Sequence, residues 1–118
     1  GNNVTISFTP VLVPVTAGIC SIIYATSRDG SSNEDVKRAL ENKYSEAAFV
    51  RLLGESSLPD TKNVTQTNYI DISWSYDERS DRFIFMSAED NLIKGASGQA
   101  IQSFNLMCGF DQTTGLVI

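Results

Sequence analysis

The chain has 118 residues, 42% hydrophobic and 19% charged, a composition typical of one globular domain and not of a disordered chain. Its net charge is −5, its nine Lys and Arg residues are scattered, and it has no histidine. These numbers argue against a nucleic-acid surface, which needs a basic patch, and exclude histidine-based triads and most zinc sites. No apolar run approaches the roughly 18 residues of a membrane span.

The first third of the chain predicts two strands. Residues 4–9 read V-T-I-S-F-T, the period-two alternation of a half-buried strand. Pro10 and Pro14 exclude full strand pairing between them, so we expect an extended connection or an edge segment there. Gly18 precedes a near-continuous apolar strand over residues 19–27, which we expect to be covered on both faces. Because the chain begins without Met, we expect a processed chain or a piece of a longer one.

The middle of the chain predicts a helix and then a short strand. Ser32 or Asn33 can cap the helix, and acidic residues follow in its positively polarised first turn. Its apolar residues fall at helical spacing, at Val36, Ala39, Leu40 and Tyr44. A short strand over residues 47–53 and a polar surface loop follow.

The last half of the chain predicts a hairpin and a second helix. Alternation over residues 64–76 places Ile70, Ile72, Trp74 and Tyr76 on one face. A turn at residues 77–81 returns the chain into a strand over 82–88, and a helix runs from near Asp90 to Gly109. The order β-β-α-β-β-β-α predicts an α+β fold with a mixed, mostly antiparallel sheet and both helices on one face. An apolar sheet face left over would imply a layer from another chain.

The last helix contains two glycines, Gly95 and Gly98, and each should cost it about 1 kcal/mol relative to alanine. Either close packing or a ligand that approaches the helix can explain them. Asn91 either caps the helix or presents its amide to a ligand at the helix start. Lys94 in the first turn opposes the helix dipole, which mildly suggests a role besides solvation. The apolar stripe is predicted to be core, at Ile93, Ala96, Ala100, Ile101, Phe104 and Met107.

Other candidate sites are less specific. The segment 8–19 forms either a rigid wall of a ligand site or an irregular connection between strands. The loop 58–68 is either a polar binding site or a solvated surface loop. Cys20 and Cys108 sit among apolar residues, so we expect buried, inert thiols. The paired carboxylates look like cap and turn groups, and no self-contained active site is predicted.

Three stretches carry a family resemblance: VTISFTPVLVPVTAGI, the residues FVRLL with LPDTKNV, and SAEDNLIKGASGQAIQSFNLMCGF. Together they resemble N-acetyl-gamma-glutamyl-phosphate reductase, in the later part of its C-terminal substrate and dimerisation domain. The resemblance implies a fold like the C-terminal domain of glyceraldehyde-3-phosphate dehydrogenase-like enzymes. It also implies a cytoplasmic, NADP-dependent enzyme of arginine biosynthesis that reduces N-acetyl-glutamyl 5-phosphate to N-acetyl-glutamate 5-semialdehyde.

The resemblance implies that the catalytic cysteine and histidine lie outside this chain, and neither Cys20 nor Cys108 matches the nucleophile. It makes residues 1–118 a single domain that lacks the dinucleotide-binding domain, is inactive alone, binds no NADP by itself and forms a homodimer or higher homo-oligomer. Asn91 is implied as a nicotinamide-side contact, and Gly95 as the point where the helix approaches the cofactor domain.

This sequence departs from the family pattern at three places. Ala17 stands where many members have arginine, Val11 stands where histidine often occurs, and only Asn68 remains of an RGSN-like run. Substrate-phosphate contacts are therefore not expected from these positions. Two alternatives stay open: the dimerisation domain of an enzyme like aspartate-semialdehyde dehydrogenase, and a free-standing oligomerisation module.

Overall fold

The computed structural model describes residues 4–27 and 30–116. The strands are β1 (Ile19–Thr26), β2 (Val50–Glu55), β3 (Ile70–Asp77) and β4 (Arg82–Glu89), and the helices are α1 (Asn33–Tyr44) and α2 (Gly98–Cys108). A 3₁₀ turn spans Thr61–Asn63, and a π-helical turn, Ile93–Ser97, leads directly into α2. The sheet order is β1-β4-β3-β2, in which only the β2–β3 pair is parallel. The predicted α+β class with a mixed, mostly antiparallel sheet is confirmed.

The β3–β4 hairpin forms where the alternation predicted it. The Asp77 carboxylate stabilises its turn by accepting from Ser80 Oγ at 2.8 Å and from the Arg79 backbone N–H at 3.2 Å. Trp74 lies opposite Phe85 in this register. Trp74 is buried together with Phe83, Phe49, Val64 and Ala88, and these residues form a small core around the two central strands.

Helix α1 begins with a capping box at Ser32. The Ser32 hydroxyl accepts from the Asp35 backbone N–H, and the Asp35 carboxylate accepts from the Ser32 backbone N–H at 3.0 Å. The structure therefore assigns the cap to Ser32 and not to Asn33. The helix packs against β2, whereas the main contact of α2 is with the π-helical turn before it.

The loop between β2 and β3 is held to the sheet by polar side chains. Arg51 Nε donates to the buried Asp71 carboxylate at 2.6 Å, and its guanidinium also bonds to Asn63 O and lies 4.7 Å from the Tyr69 ring centroid. The Ser73 hydroxyl donates to Ser57 O at 2.7 Å. These bonds give the loop a defined position on the sheet.

Residues 4–9 do not form the predicted strand, because no strand within residues 4–27 and 30–116 pairs with them. Their apolar side chains lie in solvent, and Phe8 is 84% exposed. The strand β1 exists as predicted, but its two faces are not covered, and Tyr24 is 62% exposed. The predicted core stripe of α2 is also wrong in this chain, since Ala96, Ala100, Ile101, Phe104 and Met107 are all exposed. The described part of the chain therefore presents large apolar surfaces that its other described residues leave uncovered.

Candidate functional site

The start of the π-helical turn is organised by a buried carboxylate, Asp90. Its Oδ1 accepts from the backbone N–H groups of Leu92 at 2.8 Å and Ile93 at 3.1 Å, and its Oδ2 accepts from the backbone N–H of Gln66 at 2.8 Å. Burial acts to raise the pKa of Asp90, but the three N–H donors outweigh it and lower that pKa below the ordinary value. Asp90 is therefore an anion that caps the turn and ties the β2–β3 loop to it.

Asn91 is half-buried and holds a different segment. Its Oδ1 accepts from the backbone N–H of Gly18 at 2.7 Å, across 73 positions of sequence. Within the described part of the chain, no protein atom accepts a hydrogen bond from its Nδ2. Asp90 supplies the cap, so Asn91 is free of that role, and its amide NH₂ is left to donate.

Gly18 must be glycine for this junction to form. Its φ is +132°, a conformation that residues with a side chain rarely adopt, and a Cβ there would lie 2.8 Å from Thr61 Cγ2. The junction thus joins three segments: the residues before β1, the 3₁₀ turn at Thr61, and the start of the π-helical turn.

Asn91 lines an open depression of about 370 Å³ beside this junction. Its other walls are residues 11–13 and 15–20, so two candidate features of the sequence, the proline-containing segment and Asn91, lie side by side. Cys20 also lines the depression and is exposed, as is Cys108, so the expectation of two buried thiols is wrong. Both cysteines lie next to apolar neighbours that are themselves in solvent.

The two glycines of the last helix have different reasons to be there. Gly98 is buried, and a Cβ would overlap Asn68 Oδ1 and lie 2.8 Å from Ile93 Cγ2, so close packing within the chain requires glycine. Gly95 is exposed, and the nearest atom to a Cβ there is Glu89 Oε1 at 3.5 Å, an ordinary van der Waals contact. Nothing in the described residues requires Gly95 to lack a side chain.

Lys94 points into the structure and not into solvent. Its ammonium donates to Gln102 Oε1 at 2.9 Å and lies 5.7 Å from the Phe49 ring centroid. Burial lowers the pKa of Lys94, and the nearby Glu89 carboxylate partly opposes this. Gln102 Oε1 also accepts from the buried Asn68 Nδ2 at 3.2 Å. The unusual first-turn lysine is thus explained by a polar network that connects Asn68 to α2.

Sequence reasoning did not identify the π-helical turn, the Asp90–Gln66 bond or the Gln102 network. One signal of an irregular helix start was present, because a pair of glycines is unusual there. Single π-helical turns occur often at functional sites. Of the two predicted cofactor residues, Gly95 lies on this turn and Asn91 lies two residues before its first residue.

The chain is similar in sequence to two bacterial reductases of the same name. The N-acetyl-gamma-glutamyl-phosphate reductase of Akkermansia muciniphila is 60% identical over 116 residues, which cover 98% of this chain and 33% of that protein. The protein of the same name from Pelobacter propionicus is 48% identical, with 98% of this chain and 34% of that protein covered. These relatives carry the name of the family that the sequence resembles, so the resemblance is confirmed. The chain spans about a third of their length.

Solved structures show the same architecture. The crystal structure of aspartate semialdehyde dehydrogenase II from Vibrio cholerae, complexed with ASA, superposes with a TM-score of 0.65 at 20% identity. The aligned part covers 82% of this chain and 29% of that chain, which supports the shared fold. The family model described as semialdehyde dehydrogenase, dimerisation domain, matches residues 1–91. Because residues 1–91 make up most of the chain and include the whole sheet, the chain belongs to the semialdehyde dehydrogenase dimerisation domain family.

Proposed function

We propose that this chain is part of the C-terminal substrate and dimerisation domain of an NADP-dependent N-acetyl-gamma-glutamyl-phosphate reductase. The whole polypeptide then reduces N-acetyl-glutamyl 5-phosphate to N-acetyl-glutamate 5-semialdehyde, a cytoplasmic step of arginine biosynthesis. The proposal is supported by relatives of that name that align with 98% of the chain at 60% and 48% identity.

The observation that carries the role of this domain is the contrast between Gly95 and Gly98. Gly98 is explained by contacts inside the chain, whereas Gly95 is exposed and has room for a Cβ. A glycine that weakens its helix by about 1 kcal/mol without a local reason points to a neighbour that approaches the backbone there. We assign that neighbour as the dinucleotide-binding domain of the same polypeptide.

The hydrogen bonding of Asn91 suits the nicotinamide end of the cofactor. Oδ1 accepts from Gly18, whereas the NH₂ group has no partner among the described residues, so the NH₂ donor is the wholly unpaired group that Asn91 offers. An amide donor matches the carbonyl oxygen of the nicotinamide carboxamide. NADPH, when bound, supplies the hydride, and the residues of this chain orient its ring and exclude water.

The chain contributes no nucleophile and no acid–base pair to this reaction. It has no histidine, and its two cysteines do not match the family nucleophile. Those groups therefore belong to the rest of the polypeptide, and the chain alone should not oxidise NADPH. Turnover by the purified 118-residue chain would contradict this assignment.

The exposed apolar faces fit a domain that assembles with other protein. Ile22 and Tyr24 on one face of β1, and Ile23 on the other, lie in solvent. We propose that a second copy of the polypeptide covers part of this surface, giving a homodimer or a higher homo-oligomer. The family description as a dimerisation domain supports this arrangement.

The variant Asn91→Asp in the whole polypeptide tests the cofactor role. Aspartate keeps an oxygen for the Gly18 N–H but loses the NH₂ donor, so the KM for NADPH should rise roughly threefold to tenfold, the value of one hydrogen bond. Asn42→Asp, on the exposed surface of α1, is the matched control and should change neither KM nor kcat. An unchanged KM in Asn91→Asp would contradict the role.

The substrate is tested separately with two acyl phosphates. The whole polypeptide should reduce N-acetyl-glutamyl 5-phosphate and leave aspartyl phosphate essentially unreacted. Preference for aspartyl phosphate would instead favour an enzyme like aspartate-semialdehyde dehydrogenase.

A further inference from the structure

Asn91 is held in place through its backbone and through its side chain. The buried Asp90 carboxylate accepts from the backbone N–H groups of Leu92 and Ile93, and so fixes the chain on either side of Asn91. The side chain is held by Gly18, whose backbone N–H donates to Asn91 Oδ1 at 2.7 Å. The position of the Asn91 amide therefore depends on two sets of hydrogen bonds, one on the backbone and one on the side chain.

The Asp90 carboxylate also reaches the loop that packs on Gly18. Its Oδ2 accepts from the Gln66 backbone N–H at 2.8 Å. In the same loop, Thr65 donates to Thr61 O through its backbone N–H at 2.9 Å and through its hydroxyl at 2.7 Å. Thr61 in turn lies against Gly18, where a Cβ would be 2.8 Å from Thr61 Cγ2. A chain of contacts therefore runs from Asp90 through the β2–β3 loop to Gly18.

The backbone of Gln66 indicates that the Asp90 bond imposes a conformation on this loop. Gln66 has a φ of 63°, in the left-handed region that residues with a side chain rarely adopt. Such a conformation is strained and persists only where the surrounding structure holds it. The Asp90 carboxylate is 2% exposed, so little water competes for it, and it gives the Gln66 N–H a charge-assisted hydrogen bond. Without that bond we expect the loop to relax and to move away from Gly18.

We propose that Asp90 is a positioning residue for the Asn91 amide, acting through the turn that follows Asn91 and through the loop that packs on Gly18. This inference rests on the proposed function, in which the Asn91 amide donates to the nicotinamide carboxamide of NADPH. The described residues that wall the depression beside Asn91 do not include Asp90, which is buried. The effect of Asp90 on cofactor binding therefore passes through Asn91.

A double-mutant cycle in the whole polypeptide tests this dependence. The probe is NADPH, and its fluorescence measures the Kd. Asp90→Asn should raise the Kd for NADPH roughly threefold to tenfold while Asn91 is present, the effect of losing one hydrogen bond. In an Asn91→Ala background the same replacement should change the Kd by less than about twofold, because the amide that Asp90 positions is gone. A residue that only stabilises the fold would give equal changes in both backgrounds.

Amide exchange without cofactor gives a second reading. The Gly18 N–H donates to Asn91 Oδ1, so its exchange rate reports whether the Asn91 side chain is held. With isotopic nitrogen in the glycines, Asp90→Asn should speed the exchange of the Gly18 amide at least about threefold. Asp77→Asn is the matched control, because Asp77 also holds a turn, through the Arg79 backbone N–H, at the far end of the β3–β4 hairpin. It should change neither the Gly18 exchange rate nor the Kd.

The outcomes separate this proposal from the proposed function. If Asn91→Ala leaves the Kd for NADPH unchanged, the cofactor role of Asn91 is wrong, and the Gly18 exchange rate still decides whether Asp90 holds the Asn91 side chain. Equal weakening of NADPH binding by Asp90→Asn in both backgrounds would contradict positioning, and so would an unchanged Gly18 exchange rate. If Asp90→Asn does not fold, Asp90→Ser replaces it in both experiments with the same expected results. Serine keeps a hydroxyl that caps the turn, but its single oxygen cannot also bond to Gln66.

Discussion

Replacing Gly95 by alanine should stabilise the isolated chain, whereas the same replacement at Gly98 should destabilise it. At position 95 the new Cβ meets only ordinary contacts, the nearest at 3.5 Å, so the gain is the helix propensity of alanine over glycine, about 0.5–1 kcal/mol. At position 98 the Cβ overlaps Asn68 Oδ1 and the Ile93 side chain, and forcing a methyl group into a packed site costs about 1–3 kcal/mol. Because the propensity gain applies at both positions, the free energies of unfolding of the two variants should differ by the cost of the overlap, roughly 1–3 kcal/mol.

Urea unfolding followed by Trp74 fluorescence measures this difference, because the indole is in the small core of the chain. The two variants carry the same chemical change three positions apart, so each is the control for the other. If Gly95→Ala destabilised the chain as much as Gly98→Ala, then Gly95 would have a packing role inside the chain. The inference of an outside neighbour would then lose its support.

Three further outcomes follow from the same junction and from β1. Asp90→Asn should destabilise the chain by about 1–3 kcal/mol, since a charged acceptor of three backbone N–H groups is lost. Folding lowers the pKa of Asp90, so the ionised carboxylate stabilises the fold at pH values above its unfolded pKa of about 3.9. This stabilisation is lost as the pH falls from there through the lower pKa of the folded state. Asp90→Asn should therefore make the loss of stability at acid pH less steep. Gly18→Ala should cost about 1–3 kcal/mol through its positive φ and Thr61, whereas Gly30→Ala, which also has a positive φ but meets no atom within 4 Å, should cost less in thermal unfolding. Tyr24→Glu should shift the whole polypeptide toward smaller assemblies in light scattering, and an unchanged mass would place Tyr24 outside the subunit interface.

The elements that the sequence predicted correctly depend on neighbours along the chain. The β3–β4 hairpin follows from alternation and from a turn whose carboxylate, Asp77, bonds to residues two and three positions away. Helix α1 follows from the Ser32 capping box and a periodic apolar stripe. Both are local signals, so a reading of the chain in short windows can detect them.

The two wrong predictions, a strand at residues 4–9 and a buried stripe on α2, depend on the partner that packs against each segment. The alternation at residues 4–9 and the apolar stripe of α2 predict that one face of each segment is buried. They do not indicate which segment or which protein chain covers that face. Among the residues that the structure describes, none covers either face, and Phe8 and Met107 are exposed. The chain spans about a third of the length of the relatives that it matches.

Asn91 and Gly95 stay predictions as site residues, and the sequence carried no indication of the geometry around them. Asn91 and Gly95 were chosen because the sequence at the start of the helix resembles the family motif. The bond from Asn91 to Gly18 spans 73 positions, and the Asp90 bond to Gln66 spans 24, so no local pattern could reveal them. The Gly18 bond is made by the Asn91 oxygen, so the NH₂ group of Asn91 keeps no partner among the described residues.

Hydrogen–deuterium exchange of the whole polypeptide, with and without NADP, tests most directly whether the helix start contacts the cofactor lobe. Backbone amides in the peptide that spans Asn91 to Gly98 should exchange more slowly when NADP is bound, while amides of α1 should be unaffected. If the exchange of the Asn91–Gly98 peptide were the same with and without NADP, the exposed glycine would not mark a cofactor-side contact, and the proposed role of this helix would be wrong.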